Sequence, residues 1–246
     1  MKLSTWFLIF LLLLGCPATA NTHFVEGRDY YRFKGDVAEY GDGKVIEFFM
    51  LGCKYCPPFH DAVTRWLNSR SDPVEYERIP MVIKIPKYNS YLRFGNLATA
   101  YYAAQKLGLT DFLDQKVANQ AEPKKKRDMS LDKFLRLMRD SGIKESDLTA
   151  AYTSFGAKAK TYVAVRRTNE LLLRTTNYTW EITRPYLNGE RNIFSGNQIA
   201  TEVANQASGV PMLVIGGRFK VSSKWYYQNK EQFGELLDYL VAQSSR

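Results

Sequence analysis

The fold is decided by residues 44–56, which read KVIEFFMLGCKYC. Residues 44–50 are mostly apolar, which predicts a short strand buried on both faces and interrupted by Glu47. Cys53 and Cys56 follow almost at once, and an amphipathic helical pattern comes next. The cysteine pair therefore lies between the end of a strand and the start of a helix.

The spacing of the two cysteines indicates a redox pair rather than a structural cross-link. Structural disulfides in secreted proteins usually join distant segments, whereas a C-x-x-C pair closes a very small loop and removes little entropy from the unfolded chain. Zinc is the alternative, but a closed structural zinc site needs four ligands. His60 offers a third ligand and His23 a poor fourth. We therefore expect neither a metal nor a cofactor.

Thiol chemistry assigns different roles to the two cysteines. The thiolate is the species that attacks a disulfide, and a helix N-terminus stabilises it through free N–H groups and partial positive charge. Cys53 is therefore the predicted nucleophile, and Cys56 is predicted to resolve the mixed disulfide. Lys54 and Tyr55 are candidate redox-tuning residues: the positive charge of Lys54 is expected to lower the pKa of Cys53, and Tyr55 offers a hydroxyl. The alternatives are that Lys54 points into solvent and that Tyr55 packs on the rim.

The order of the other segments predicts an α/β, thioredoxin-like fold with an inserted helical domain. Residues 29–33 and 74–85 read as strands, and residues 91–174 read as helical. Residues 212–222 read as a hairpin, and residues 231–241 as a closing amphipathic helix. The predicted domains are a thioredoxin-like domain in two parts (21–86 and 209–246), an inserted helical domain (87–174) and an unassigned insertion or helix (175–208).

Residues 1–20 read as a secretory signal peptide. Lys2 precedes an apolar run, and a small-x-small cleavage site ends at Ala20. Cleavage there would start the mature chain at Asn21. Cys16 allows an alternative, in which the chain is cut before that cysteine and anchored to a membrane as a lipoprotein.

The composition is that of a globular protein with a basic surface. Of 246 residues, 45% are hydrophobic, which is enough for a sizeable core. The net charge of +9 could attract nucleic acid or lipid, but exported proteins seldom meet nucleic acid. We expect a solvated basic surface, with residues 124–127 (KKKR) in an exposed loop and no nucleic-acid partner. No run after the first twenty residues predicts stable membrane insertion.

A second part of the site is predicted at residues 209–211, Gly-Val-Pro. A proline is tolerated at the start of a strand because it has no N–H to pair. An ordinary turn proline is the alternative, but the upstream C-x-x-C favours a loop that faces the disulfide. We predict a cis peptide bond between Val210 and Pro211.

These segments together resemble the DsbA family of periplasmic thiol:disulfide oxidoreductases. The resemblance covers most of the mature chain, including FVEGRDY (24–30), VIEFF (45–49), the C-x-x-C pair, SGIK (141–144), TAAYTSF (149–155), GVP (209–211) and GRF (217–219). It implies that Cys53 is the attacking and accepting sulfur and Cys56 its buried partner. It also implies that Glu47 assists proton transfer beneath the site. A surface charge on an edge strand is the alternative for Glu47.

The same resemblance implies a substrate site and a function. Val210 and Pro211 match the loop that faces the disulfide, where the backbone of Val210 is available to pair with a substrate strand. The expected activity is the introduction of disulfide bonds into newly exported proteins, with reoxidation by a membrane quinone-linked partner that resembles DsbB. An isomerase or reductase on the same fold and a non-catalytic peptide-binding chaperone remain alternatives.

Three departures from the family pattern affect these expectations, one of which is that residues 175–208 match no recognised segment of it. The family commonly has Pro-His between its cysteines, where this chain has Lys54 and Tyr55. Pro57 and Pro58 follow Cys56 directly, and neither can donate a backbone hydrogen bond. We therefore expect an altered redox poise and a differently bonded first helical turn.

Overall fold

The computed structural model describes residues 24–33, 41, 43–82, 90–120, 129–175 and 210–245. The predicted signal peptide, the basic run 124–127 and residues 176–208 lie outside these ranges. The strands are β1 (Tyr31–Arg32), β2 (Val45–Phe49), β3 (Tyr76–Pro80), β4 (Met212–Ile215) and β5 (Phe219–Ser222). Within the described residues they form one five-stranded sheet in the order β1-β5-β4-β2-β3. β3 is parallel to β2, and the other neighbours are antiparallel.

Helices lie between and after these strands in the chain and pack against the sheet. They are α1 (Cys56–Ser69), α2 (Ser90–Lys106), α3 (Thr110–Ala118), α4 (Leu131–Met138), α5 (Glu145–Thr153), α6 (Phe155–Thr175), α7 (Ser223–Gln228) and α8 (Phe233–Ser244). Helices α2 to α6 come between β3 and β4 in the chain, where the helical segment was predicted. Among the described helices none is long and apolar enough to cross a membrane.

The central strand β2 carries the buried acidic residue of the site. It lies between β3 and β4, and all five of its residues are buried. Glu47 itself is 0% exposed. The alternative of an edge-strand surface charge at Glu47 is therefore wrong.

Two apolar cores pack against the sheet. The first joins Phe59 and Val63 of α1 to Leu213 of β4 and Leu237 of α8. The second joins β2 and β4 to the helices that follow β3, and its fully buried large side chains include Phe48, Phe134 and Met138. Successive side chains of a strand point to opposite faces of the sheet, so β2 contributes side chains to both cores.

Helix α1 begins at Cys56, so the second cysteine is its first residue. Pro57 and Pro58 fit its first turn, because the N–H groups that they lack would have no intrahelical partner there. The preceding Gly52 has a φ of 73°, a left-handed conformation that favours glycine. This turn directs the chain from β2 into the cysteine pair.

Candidate active site

Cys53 and Cys56 lie at the N-terminus of α1 as free thiols of unequal exposure. Cys53 is partly exposed, whereas Cys56 is 1% exposed. A backbone hydrogen bond from Cys56 N–H to the Cys53 carbonyl, 3.1 Å long, closes the turn between them. One sulfur can therefore meet an incoming thiol while the other stays behind it.

The two thiols also differ in acidity. The pKa of Cys53 is lowered to about 7, first by a hydrogen bond from the Cys56 thiol and then, against the effect of burial, by the backbone N–H groups of Tyr55 and Cys56. The same thiol contact and burial raise the pKa of Cys56. At neutral pH the exposed sulfur is thus the one that ionises, as disulfide exchange requires.

Val210 and Pro211, the described residues of the predicted Gly-Val-Pro loop, lie beside this pair. The Val210–Pro211 peptide bond is cis, which confirms the prediction. The Cys53 thiol lies 3.7 Å from the Val210 carbonyl oxygen, to which it donates. The antiparallel pairing of β4 with β2 brings the loop to the end of β2 that leads into Cys53.

The residues between the cysteines are arranged around an aromatic contact. The Lys54 ammonium lies 4.7 Å from the centroid of the Tyr55 ring, which is half exposed and packs edge-on against Tyr227. The Tyr55 side chain thus packs on the rim, while its backbone N–H helps to lower the pKa of Cys53. An effect of Lys54 on Cys53 stays a prediction.

Glu47 anchors a buried polar network on the α1 side of the sheet. Its Oε2 lies 2.9 Å from His60 Nδ1 and accepts a hydrogen bond from the Tyr76 hydroxyl. Arg78, its partner across the parallel pair β2–β3, lies 3.4 Å from the carboxylate. The negative charge of Glu47 contributes, after the Cys53 contact and burial, to the raised pKa of Cys56. A carboxylate in this position can influence proton loss from Cys56.

Several residues of the site were not predicted from the sequence. His60 was considered only as a metal ligand, although its place one helical turn after Cys56 puts it beside the site. Arg78 could have been found from the parallel register of β3 with β2. Asp114 of α3 accepts a hydrogen bond from the Gly52 N–H, and its charge opposes ionisation of Cys53. No local sequence signal identifies Asp114, because it comes from a different part of the chain.

His60 does not face a cluster of metal ligands. Its Nδ1 lies within hydrogen-bond distance of Glu47 and of the Tyr76 hydroxyl, at 2.9 and 3.0 Å. Across the part of the chain that the structure describes, no group of three or more His, Cys, Asp or Glu side chains could hold a metal ion.

Comparison with known proteins relates this site to a group of disulfide-exchange proteins. No protein-family model matches the chain. It is 21% identical over 225 residues to the thiol:disulfide interchange protein DsbA of Azotobacter vinelandii, covering 88% of this chain and 83% of the relative. A Pseudomonas aeruginosa DsbA structure matches 90% of this chain and 98% of its own at 16% identity and a TM-score of 0.59. A Proteus mirabilis DsbA structure, in complex with a non-covalently bound peptide PWATCDS, matches 89% and 99% at 16% identity and a TM-score of 0.58. These likenesses confirm the predicted thioredoxin-like fold.

Proposed function

We propose that this chain, a DsbA-like thiol:disulfide oxidoreductase, introduces disulfide bonds into exported proteins by exchange through Cys53 and Cys56. One observation carries the proposal: an accessible sulfur with a pKa of about 7 lies beside a buried sulfur whose pKa is raised. Disulfide exchange uses this asymmetry, because the accessible sulfur is the one that a client can attack, and it then leaves as the more stable thiolate when the client disulfide is released.

The first step is attack on the oxidised enzyme. A client thiolate attacks Cys53 Sγ, a bond forms between the client sulfur and Cys53, and the Cys53–Cys56 bond breaks. The electron pair of the broken bond leaves on Cys56, which takes up a proton because its pKa is raised. Glu47 assists this proton transfer, and His60 links it to the surface because 26% of the His60 side chain is exposed.

The second step releases the oxidised client. A second client thiolate attacks the client sulfur of the mixed disulfide, forming the new client disulfide and breaking its bond to Cys53. Cys53 leaves as a thiolate, which the hydrogen bond from Cys56 stabilises. Two electrons have passed from the client dithiol to the enzyme, which is left reduced.

The clients are extended, cysteine-containing chains. The Val210 carbonyl faces Cys53 and lies just before β4, so a client strand can pair its backbone there with its own cysteine next to the sulfur. Recognition through backbone groups is insensitive to sequence, which suits an enzyme with many clients. Pro211 completes this loop at the start of the strand.

Continued turnover needs an electron acceptor in the same compartment. A membrane quinone-linked oxidase that resembles DsbB would accept the two electrons. The Cys53 thiolate would attack a disulfide of that oxidase, and Cys56 would then displace the oxidase thiol to re-form the Cys53–Cys56 disulfide. The DsbA resemblance and the predicted signal peptide support a periplasmic location. Mass spectrometry of the exported chain tests this: an N-terminus at Asn21 agrees with a cleaved leader, whereas a diacylated Cys16 would indicate a lipoprotein.

The activity is tested with the oxidised chain and a reduced peptide that contains two cysteines. We expect transfer of one disulfide per enzyme and a glutathione titration that shows an oxidising pair. Cys56→Ser, mixed instead with the oxidised peptide, should form a mixed disulfide through Cys53, because the Cys53 thiolate attacks the peptide disulfide and the enzyme has no second sulfur to release it. Cys53→Ser should form no mixed disulfide and transfer nothing.

Other outcomes would favour other functions. A strongly reducing pair that reshuffles wrong disulfides faster than it oxidises thiols would indicate an isomerase or reductase. Equal peptide binding by the double variant Cys53→Ser/Cys56→Ser, together with no disulfide transfer by the native chain, would indicate a chaperone.

A further inference from the structure

Two adjacent tyrosines of α7 contact the first turn of α1. The Tyr226 hydroxyl donates to the Pro58 carbonyl at 3.3 Å, and the Tyr227 hydroxyl donates to the Tyr55 carbonyl at 2.8 Å. α7 follows β5, more than 150 residues after the cysteines, so both contacts are long-range. They join the end of the thioredoxin-like sheet to the segment that holds the reactive sulfur.

The first turn of α1 supplies few hydrogen bonds of its own. The first N–H groups of any helix have no intrahelical acceptor, and Pro57 and Pro58 have no N–H group at all. A bond from the Cys56 N–H to the Cys53 carbonyl closes the turn. A donor from outside the helix therefore adds a contact that this turn does not supply itself.

The hydroxyl of Tyr227 acts on one peptide group in particular. The Tyr55 carbonyl and the Cys56 N–H belong to the same planar unit. That N–H is one of the backbone donors that lower the pKa of Cys53. A hydrogen bond accepted by the carbonyl polarises the unit and strengthens its N–H as a donor. It also fixes the plane in which the N–H lies.

We infer that Tyr227 is a positioning residue for the reactive sulfur, holding the Tyr55–Cys56 peptide group so that its N–H is directed at Cys53. The inference rests on the proposed role of Cys53 as nucleophile. Tyr227 is itself held by edge-on ring contacts with Tyr55 and Tyr226, at centroid distances of 5.6 and 4.9 Å. Burial and the neighbouring phenol and thiols raise the pKa of Tyr227, so its hydroxyl remains a donor at neutral pH.

The test compares Tyr227→Phe with Tyr226→Phe. Both changes remove one hydroxyl and one hydrogen bond from the same helix and keep the ring, but only Tyr227 bonds to the peptide group next to the sulfur. Polarisation strengthens a hydrogen bond by about 10–30%, which for a bond to a thiolate corresponds to about 0.1–0.7 in pKa. With loss of orientation added, Tyr227→Phe should raise the pKa of Cys53 by about 0.5, roughly a threefold change in its dissociation constant.

The measurement is the ultraviolet thiolate absorbance of each reduced variant against pH, with thermal denaturation to confirm folding. We expect Tyr226→Phe to titrate like the native chain and Tyr227→Phe to titrate at higher pH. An unchanged pKa in Tyr227→Phe, or an equal rise in both variants, overturns the inference. No client is involved, so the titration decides the role of Tyr227 even if the peptide-oxidation assay shows no oxidase activity.

Discussion

The acidity of Cys53 depends first on its partner thiol, so replacing Cys56 should change it in a predictable way. Cys56→Ala removes the donor that contacts the Cys53 sulfur, whereas Cys56→Ser keeps an O–H donor at the same place. Both replacement side chains are small, and position 56 is buried. The pair of variants therefore separates the hydrogen bond from the loss of the second sulfur.

The size of the effect follows from the strength of a hydrogen bond to a charged group. Such bonds contribute about 1.5–3 kcal/mol, or roughly 1–2 in pKa. Cys53 is partly exposed and water screens its charge, so we expect the lower end, a rise of about 1. The pKa would then move from about 7 to roughly 8. The thiolate fraction at pH 7 would fall about fivefold, from about a half to about a tenth.

Two assays follow the change. The thiolate absorbance of the reduced variants gives the pKa directly, and the alkylation rate at pH 7 reports reactivity. A thiolate of higher pKa is intrinsically about threefold more nucleophilic per pKa unit, so the alkylation rate should fall only about twofold. Cys56→Ser should stay near the native values. If Cys56→Ala still titrates near 7, the backbone N–H groups and not Cys56 govern the acidity of Cys53. If the serine variant shifts as far as the alanine variant, the loss of the second sulfur and not of a hydrogen-bond donor is responsible, and the reasoning is refuted.

Three further changes test the surroundings of the site and the fold. Lys54→Ala should raise the pKa of Cys53 and make the cysteine pair less oxidising by at most about 20 mV, because an exposed charge pair contributes about 0.2–1 kcal/mol. A glutathione titration that shows no change in the reduction potential would place the ammonium out of reach of the sulfur. Asp114→Asn removes a negative charge that opposes ionisation of Cys53 and keeps an acceptor for the Gly52 N–H. The pKa of Cys53, measured by thiolate absorbance, should therefore fall below the native value, and a rise in that pKa would contradict the prediction. Asp29→Ala leaves the Trp225 indole N–H and a backbone N–H without their acceptor and should cost about 2–3 kcal/mol in denaturant unfolding. The pKa of Asp29 is lowered to about 2, so the stabilisation by its carboxylate is fully present above the unfolded pKa of about 4 and is lost as the pH falls through 2. Equal free energies of unfolding for the native chain and Asp29→Ala at pH 7 would refute this prediction.

The local part of the site could be predicted because its signals lie close together in the sequence. A buried strand followed by C-x-x-C and an amphipathic helix places both cysteines at a helix N-terminus wherever the rest of the chain lies. Helix ends were predictable for the same reason. The Ser130 hydroxyl accepts from the Lys133 N–H at the start of α4, and Gly142 adopts the left-handed conformation after the turn at Arg139–Ser141.

The polar surroundings of the cysteines could not be predicted in the same way. Glu47 meets His60 from α1 and two side chains from β3, and their proximity depends on how the sheet and helix pack. α7 also went unrecognised, because six residues are too few to show a clear helical period. Its Ser222 cap, whose hydroxyl accepts from the Trp225 N–H, was the available signal. Tyr227 could be assigned only after α7 was placed.

In this chain, with Lys54 and Tyr55 between the cysteines, the acidity of Cys53 is controlled mainly by the backbone and the partner sulfur. The leading causes of the low Cys53 pKa are the Cys56 thiol and two backbone N–H groups, which do not depend on the side chains between the cysteines. Burial, and to a smaller extent the charge of Asp114, act in the opposite direction, and the pKa of Cys53 settles at about 7. A thiol that attacks another disulfide is fastest when its pKa is near the ambient pH, because a more acidic thiolate is less nucleophilic. We therefore expect this chain to be less oxidising than one with a more acidic Cys53, and to keep Cys53 reactive as an attacking thiol at neutral pH.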